Sequence, residues 1–209
     1  MIDLYTWSTP NGRKVSILLE ELGWPYTVYP INITQNAQFA REFLAISPNN
    51  KIPAMVDHEN GLSLMESGAI LLYLAERAER FLPTHPSARW RCLEWLMWQM
   101  GGLGPMLGQA HHFVHFNPEK SAYAKERYAT EAQRLYGVLD VQLGRHEYVA
   151  GADYSIADIA IWPWIARFEW QGIDLAAYPH VLRWYRMIAL RPGVIRGYSV
   201  PTAGTIPLP

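Results

Sequence analysis

The hydrophobic period changes several times within the first eighty residues, and each change marks an element boundary. Ile2–Thr6 is a short run with β-branched and aromatic residues, which predicts a strand. It stops at Ser8-Thr9-Pro10-Asn11-Gly12, a cluster of turn and cap residues. Val15, Leu18, Leu19 and Leu22 then recur at helical spacing, with Gly23 as a stop. Tyr26–Ile31 predicts a second strand and Ala37–Leu44 a short helix, broken by Ser47-Pro48-Asn49-Asn50. Pro53–Asp57 and Leu62–Met65 read as two strands joined across Glu59-Asn60-Gly61, an Asn-Gly hairpin signal. Ser67 is the expected N-cap of a helix whose apolar face is Ile70, Leu71 and Leu74.

The order β-α-β-α-β-β-α suits one parallel pair followed by an antiparallel hairpin, which is the layout of a thioredoxin-like α/β domain. No β-rich stretch recurs. Phe81–Ser87, with two prolines, reads as a linker. Beyond it the period is helical throughout: Ala88–Ala110, the stripe Ala124, Tyr128, Ala132, Leu135, Leu139, a helix opening at Tyr154-Ser155-Ile156-Ala157-Asp158 and containing Pro163, and Val181–Leu190. Pro201–Pro209 is expected to be irregular. The expectation is a thioredoxin-like domain over residues 1–80, a linker over 81–87 and an all-α helical-bundle domain over 88–209.

Composition narrows the function. The 209 residues carry a formal net charge of −1, which provides no basic field for a phosphate backbone, so no nucleic acid partner is expected. No window reaches ~18 consecutive apolar residues, so no membrane span is expected. Cys92 is the one cysteine, which rules out an internal disulfide framework and suits a reducing, cytoplasmic compartment.

Three connections of the first domain carry candidate chemistry. At the strand-to-helix turn, where a redox thioredoxin places its cysteine, the chain has Thr9-Pro10-Asn11-Gly12 and no sulfur. Thr9 and Asn11 suit two roles, a plain helix cap or donors to the thiolate of a bound ligand. At Asn50-Lys51-Ile52-Pro53 the proline is a candidate cis peptide, which would turn the Ile52 backbone toward an extended peptide and bring Lys51 near its carboxylate. A trans proline at a strand edge would need no ligand. At Glu66-Ser67-Gly68, a helix start with a hydroxyl and a carboxylate suits an α-amino-acid zwitterion, and Ser67 would serve as a cap in either case. Together the three sites read an anionic tripeptide carrying a thiol.

The segments SPNNKIPAMVD, LMESGAILLYLAE and YSIADIAIWPW resemble the glutathione transferase family, with Ser155 and Asp158 matching its helical-domain capping box. MIDLYTWSTPNGRKV, QFAREFLAISPNNKIPAMVDH, WLMWQMGGLGPMLGQAHHF and ERYATEAQRLYGVLD are similar to its bacterial nu class, the glutathione-dependent disulfide-bond reductases. The resemblance runs from Met1 to about Arg191. It implies glutathione as co-substrate, with Thr9 and Asn11 as the catalytic pair at its sulfur and Gln38 and Lys51 at its glycine end. It also implies backbone bonds at Ile52 beside Pro53, Glu66 and Ser67 at the γ-glutamyl head, and Arg127 reaching the site of a homodimer partner. The catalytic Tyr or Ser of other classes has no clear counterpart, although Tyr5 and Ser8 lie nearby.

The expected function is reduction of a small disulfide by bound glutathione thiolate. The alternatives are conjugation of glutathione to an electrophile, peroxide reduction, or a non-catalytic glutathione-binding regulator. No metal site is expected: His111 and His115 lack the intervening Glu of a zinc helix, and the His111-His112-His115 group reads as polar lining of a second-substrate cleft. Trp90, Trp95, Met97, Trp98 and Met100 read as interdomain core, and Cys92 as a buried inert thiol.

Overall fold

A computed structural model describes residues 1–209. The chain forms two compact units. One comprises Met1–Leu82 together with Ala189–Ile206, and the other Pro83–Ile188 with Pro207–Pro209.

In the first unit, β1 (Ile2–Thr6) leads through α1 (Pro10–Leu22) to β2 (Tyr26–Pro30), then through two 3-10 turns and α2 (Arg41–Leu44) to β3 (Ala54–Asp57), β4 (Leu62–Met65) and α3 (Ser67–Ala78). The sheet order is β2-β1-β3-β4, with β1 parallel to β2 and antiparallel to β3, and β3 antiparallel to β4. The βαβ unit and the Asn-Gly hairpin are those the periodicity predicts, and Gly61 adopts the positive φ of 68° that such a turn needs. The predicted Ala37–Leu44 helix is instead a 3-10 turn and α2, separated by Ala40 in extended conformation. The N-cap of α3 is Glu66 and not Ser67, which is the first helical residue.

Helix α1 is covered along nearly its whole length: every residue from Gly12 to Leu19 is buried. One cover is α9 (Pro192–Tyr198), which the periodicity did not predict and which packs on α1 in the first unit. The helical domain expected over 88–209 is therefore shorter at its C-terminal end. Gly197 is the physical reason: a Cβ there would stand 2.5 Å from the Ile17 Cα, so only glycine lets the two backbones come this close. Ser16 Oγ donates to the Gly197 carbonyl at 2.7 Å, Arg13 lies 3.6 Å over the Tyr198 ring, and Arg191 grips Glu21 through two bonds of 2.8 and 2.9 Å.

The second unit is helical: α4 (Pro86–Trp98), α5 (Gly104–Ala110), α6 (Ala122–Leu143), α7 (Ile156–Ile165) and α8 (Pro179–Ala189, its last residue grouping with the first unit). The helical run expected over Ala88–Ala110 starts at Pro86, inside the predicted linker, and is interrupted by a π-helical turn at Gln99–Leu103; a second such turn follows at His111–Phe116. Two of the aromatic and methionine positions expected as interdomain core face water, Trp90 at 70% and Met97 at 56% exposure. The buried stripe is Cys92, Leu96, Gln99 and Leu103 instead. No helix is long and apolar enough to cross a membrane.

All ten residues of α7 are buried, and its start is held by the capping box that Ser155 and Asp158 were expected to form. The Asp158 carboxylate accepts from the Val149 and Ser155 backbone N–H groups, the Ser155 hydroxyl and the Trp184 indole, at 2.9–3.1 Å. Asp158→Ala strands these buried donors together, so a loss of roughly 3 kcal/mol or more is expected in denaturant unfolding, with lesser loss in Asp158→Asn.

Burial also governs His111. Tyr136 donates to Gln171 Oε1 at 2.6 Å, and the Gln171 amide donates to the Trp164 carbonyl at 2.8 Å and to His111 Nε2 at 3.0 Å. A protonated ring would turn that accepting nitrogen into a donor facing a donor. Burial, then Arg167 and His115, push the imidazole down to about 4. The folded pKa lies below the unfolded one near 6.5, so this contribution is complete above about 6.5 and is lost as pH falls toward 4. Urea unfolding of wild type against His111→Gln is expected to differ in pH dependence over that window by on the order of 3 kcal/mol.

Candidate active site

The N-terminus of α1 begins at a sharp approach of backbone to backbone. A Cβ on Gly12 would stand 2.2 Å from the Trp7 carbonyl oxygen, which fixes glycine at the third helical position. Thr9 is the N-cap, and its hydroxyl oxygen accepts from the Gly12 N–H at 3.2 Å. The capping role considered for Thr9 is thus real. It occupies a lone pair and not the hydroxyl hydrogen, so it is compatible with donation to a ligand. Tyr5 and Ser8 are engaged elsewhere. The Tyr5 ring stacks on Tyr29 at 4.8 Å, and burial, with Asp3 and Tyr29 nearby, raises its phenol further from ionisation. Ser8 Oγ lies 2.7 Å from the Thr202 hydroxyl in the returning C-terminal segment.

The second connection is a loop built by Ser47. Its buried hydroxyl donates to the Lys51 carbonyl at 2.8 Å, while the Asn50 N–H closes onto the Ser47 carbonyl at 2.9 Å. Asn50 takes a positive φ of 48°, and the Ile52–Pro53 peptide is cis. Third, Glu66 bridges β4 and α3 at φ 70°, ψ 111° with no side-chain capping bond, a conformation uncommon for a residue with a Cβ. The hairpin behind it is braced by Asp57, which accepts from the Tyr73 hydroxyl at 2.7 Å and pairs with Arg77.

These three connections meet. Asn11, Lys51, Ile52, Pro53, Glu66 and Ser67 line one pocket of about 130 Å³, enough for an amino-acid head with a peptide leading away from it. Lys51 is exposed and Ser67 is 3% exposed. Thr9 sits at the same helix start. Gln38 lies on the Ala37–Phe39 turn, and its side-chain oxygen is buried without a hydrogen-bond partner. Arg127 is in the other unit, on α6, beside Met106, Tyr123 and Glu131 in a groove of about 590 Å³.

One charged residue of this site escaped the sequence reading. Lys14 is fully buried, and its Nζ donates to Ser67 Oγ at 3.1 Å. Burial pushes its ammonium down to about 7, with Glu66 opposing the shift. The signal was available: Lys14 stands three residues after Asn11 and four before Leu18, on the face that carries the apolar stripe.

The histidines do not form a metal centre. His111 is buried against Gln171, while His112 and His115 are exposed and in ring contact with Phe113 and Trp170. No group of three or more His, Cys, Asp or Glu side chains is arranged to hold a metal. Burial of His111 corrects the expectation that all three line a substrate cleft.

Comparison with known proteins agrees with this geometry. Family models described as "Glutathione S-transferase, N-terminal domain" and "Glutathione S-transferase, C-terminal domain" match residues 4–83 and 103–192. The chain is 52% identical over 197 residues to "Disulfide-bond oxidoreductase YfcG" of Escherichia coli (strain K12), covering 92% of each. A glutathione transferase family member from Pseudomonas fluorescens, solved with two glutathione bound, superposes with a TM-score of 0.90 at 44% identity, over 96% of this chain and 93% of that one. A glutathione transferase from Pseudomonas putida, solved with one glutathione disulfide per subunit, gives a TM-score of 0.90 at 40% identity, over 96% and 91%. The chain belongs to the glutathione S-transferase family.

Proposed function

We propose that this protein is a nu-class, glutathione-dependent disulfide-bond reductase in which glutathione supplies every thiol that reacts. The observation that carries the reading is the joining of three connections, two into helices and one into β3, in one head-group pocket, in a chain whose single cysteine is fully buried in the other unit. Burial raises the Cys92 thiol, which disfavours the thiolate that exchange requires. The relatives solved with two glutathione molecules, or with one glutathione disulfide, support the same stoichiometry.

In the first step a bound glutathione thiolate attacks one sulfur of the substrate disulfide, forming a mixed disulfide and releasing the other sulfur as a thiolate. A second glutathione thiolate attacks the glutathione sulfur of that mixed disulfide. Glutathione disulfide forms and the remaining substrate thiolate leaves. Two electrons pass to the substrate, and its two thiolates take protons from solvent. The protein's part is to raise the thiolate fraction of a thiol whose reference pKa is ~8.5, using the α1 N-terminus with Thr9 and Asn11. Glu66 meets the γ-glutamyl ammonium, Ser67 its carboxylate, Ile52 beside Pro53 the peptide backbone, and Gln38 and Lys51 the glycine end.

The working unit is a homodimer in the cytoplasm. Trp90 and Met97 on α4 and Tyr123 on α6, at 70%, 56% and 74% exposure, provide the apolar surface for a two-fold contact, and Arg127 of each subunit serves the partner's site.

Steady-state reduction of a model disulfide, beside an aryl halide and an organic peroxide, tests the reading: the disulfide is expected to turn over fastest. Cys92→Ser should leave the rate per folded molecule within about twofold, read after correction for active-site content; a mixed disulfide trapped on Cys92 would overturn the proposal.

Thr9→Ala is expected to lose ~0.5–2 kcal/mol from the cap and also to raise the pKa of bound glutathione. Asn11→Ala should raise that pKa with a smaller effect on melting. Thiolate absorbance against pH, beside thermal midpoints, separates the roles; an unshifted titration in both variants would leave these residues as caps alone.

A further inference from the structure

The head-group pocket has a carboxylate for a ligand ammonium, Glu66, but no arginine among its lining residues for a ligand carboxylate. Two hydroxyls line it: that of Ser47 donates to the Lys51 carbonyl, and that of Ser67 stands beside Glu66. Lys51 is a cation in the wall, and a second cation lies behind the Ser67 hydroxyl. Lys14 has no exposed surface, and its Nζ donates to Ser67 Oγ at 3.1 Å, on the side away from the ligand. An oxygen that accepts from an ammonium directs its own hydrogen away from it, and Ser67 is itself a wall of the pocket.

We propose that Lys14 is a positioning residue for the α-carboxylate of the bound γ-glutamyl head: it fixes the Ser67 hydroxyl as a donor toward that carboxylate and supplies its counter-charge from behind. This rests on the glutathione reading above and extends it to a residue outside the pocket wall. Glu66 and Lys14 then form a matched pair of opposite charges, into which a zwitterion inserts with its own charges reversed.

The electrostatics make the proposal measurable. Lys14, pushed down to about 7 by burial, is only partly protonated near that pH before a ligand arrives. A carboxylate placed beyond Ser67 favours the ammonium and raises that pKa, so binding takes up a proton in this range. Other charges around α1 are committed elsewhere. Arg191, the N-cap of α9, holds Glu21 and Arg196 of α9 holds Glu20, Arg13 lies over Tyr198, Asp57 of β3 holds Arg77, and Asp3 of β1 meets His58. Glu66 is the carboxylate that acts on Lys14.

The test is calorimetry on the full chain with S-methylglutathione, whose blocked thiol contributes no proton, at pH 6.0–7.0 in buffers of differing ionisation enthalpy, where Lys14, at about 7, titrates and the ligand's own amine stays protonated. Wild type is expected to take up a fraction of a proton per site. It should take up none with the analogue in which γ-aminobutyrate replaces the γ-glutamyl residue, because that ligand lacks the α-carboxylate. Lys14→Met should abolish the uptake and weaken S-methylglutathione roughly 10- to 100-fold, while changing affinity for the carboxylate-free analogue far less. Ser67→Ala should weaken the parent ligand and reduce the uptake. The two wild-type titrations decide the matter even if Lys14→Met does not fold. Equal proton uptake with both ligands, or none with either, overturns the role of Lys14. An equal loss of affinity for both ligands in Lys14→Met does the same, assigning the lysine to structure only. Failure of wild type to bind S-methylglutathione at all overturns the glutathione reading itself, and is distinguishable from these results.

Discussion

The near-complete burial of helix α1 is the constraint on which the site depends. A helix with one exposed face presents its charged residues to water and needs nothing else. Here α3 packs on it and α9 covers it, and the Gly197–Ile17 approach leaves no gap for solvent between α1 and α9. Three polar side chains of α1 therefore had to find protein partners: Arg13 on Tyr198, Ser16 on the Gly197 carbonyl, and Lys14 on Ser67. The first two hold the cover in place. The third points its charge at the pocket. The enclosure that stabilises the unit also sets the electrostatics of the head-group site.

The pocket itself is assembled from short connections whose conformations are unusual for their residue types. Asn50 and Glu66 both take positive φ, at 48° and 70°, and Gly12 occupies a place where any Cβ would strike the Trp7 carbonyl. Such positions are held by their surroundings: the Ser47 hydroxyl over the loop, Asp57 with Tyr73 and Arg77 behind the hairpin, the Thr9 cap on α1. The rigid sheet supplies the anchor points, and the connections between its strands and helices supply the chemistry.

Much of this was legible in the order of residues. The βαβ unit, the Asn-Gly hairpin and the Ser155–Asp158 box are local patterns, each set by residues within a few positions of one another. The three candidate connections were legible because turn and cap residues mark themselves. Lys14 carried only one weak local signal, its place on the apolar face of α1, because a lysine five residues beyond the Thr9 cap reads as a solvated charge unless one knows that a distant segment covers it. The same limit hid α9: Ser16 and Gly197 meet across 181 positions, and no period along the chain encodes that. Trp90 and Met97 erred the other way, since aromatic and methionine content says that a residue is apolar without saying which side of its helix is buried.

The return of Ala189–Ile206 to the first unit has a consequence for how the molecule is made. The sheet and its first three helices leave the ribosome first, but the cover of α1 follows only after the whole of Pro83–Ile188. Until it arrives, the Ile17 backbone and the aliphatic stem of Arg13 lie open, and the thioredoxin-like portion is an unfinished body with an unsealed flank. The second unit has its main stretch, Pro83–Ile188, available before that closure, and only Pro207–Pro209 join it afterwards. Enclosure of the pocket's supporting helix thus waits on α9, and a nascent chain halted before Pro192 would hold every pocket residue with the helix behind them uncovered.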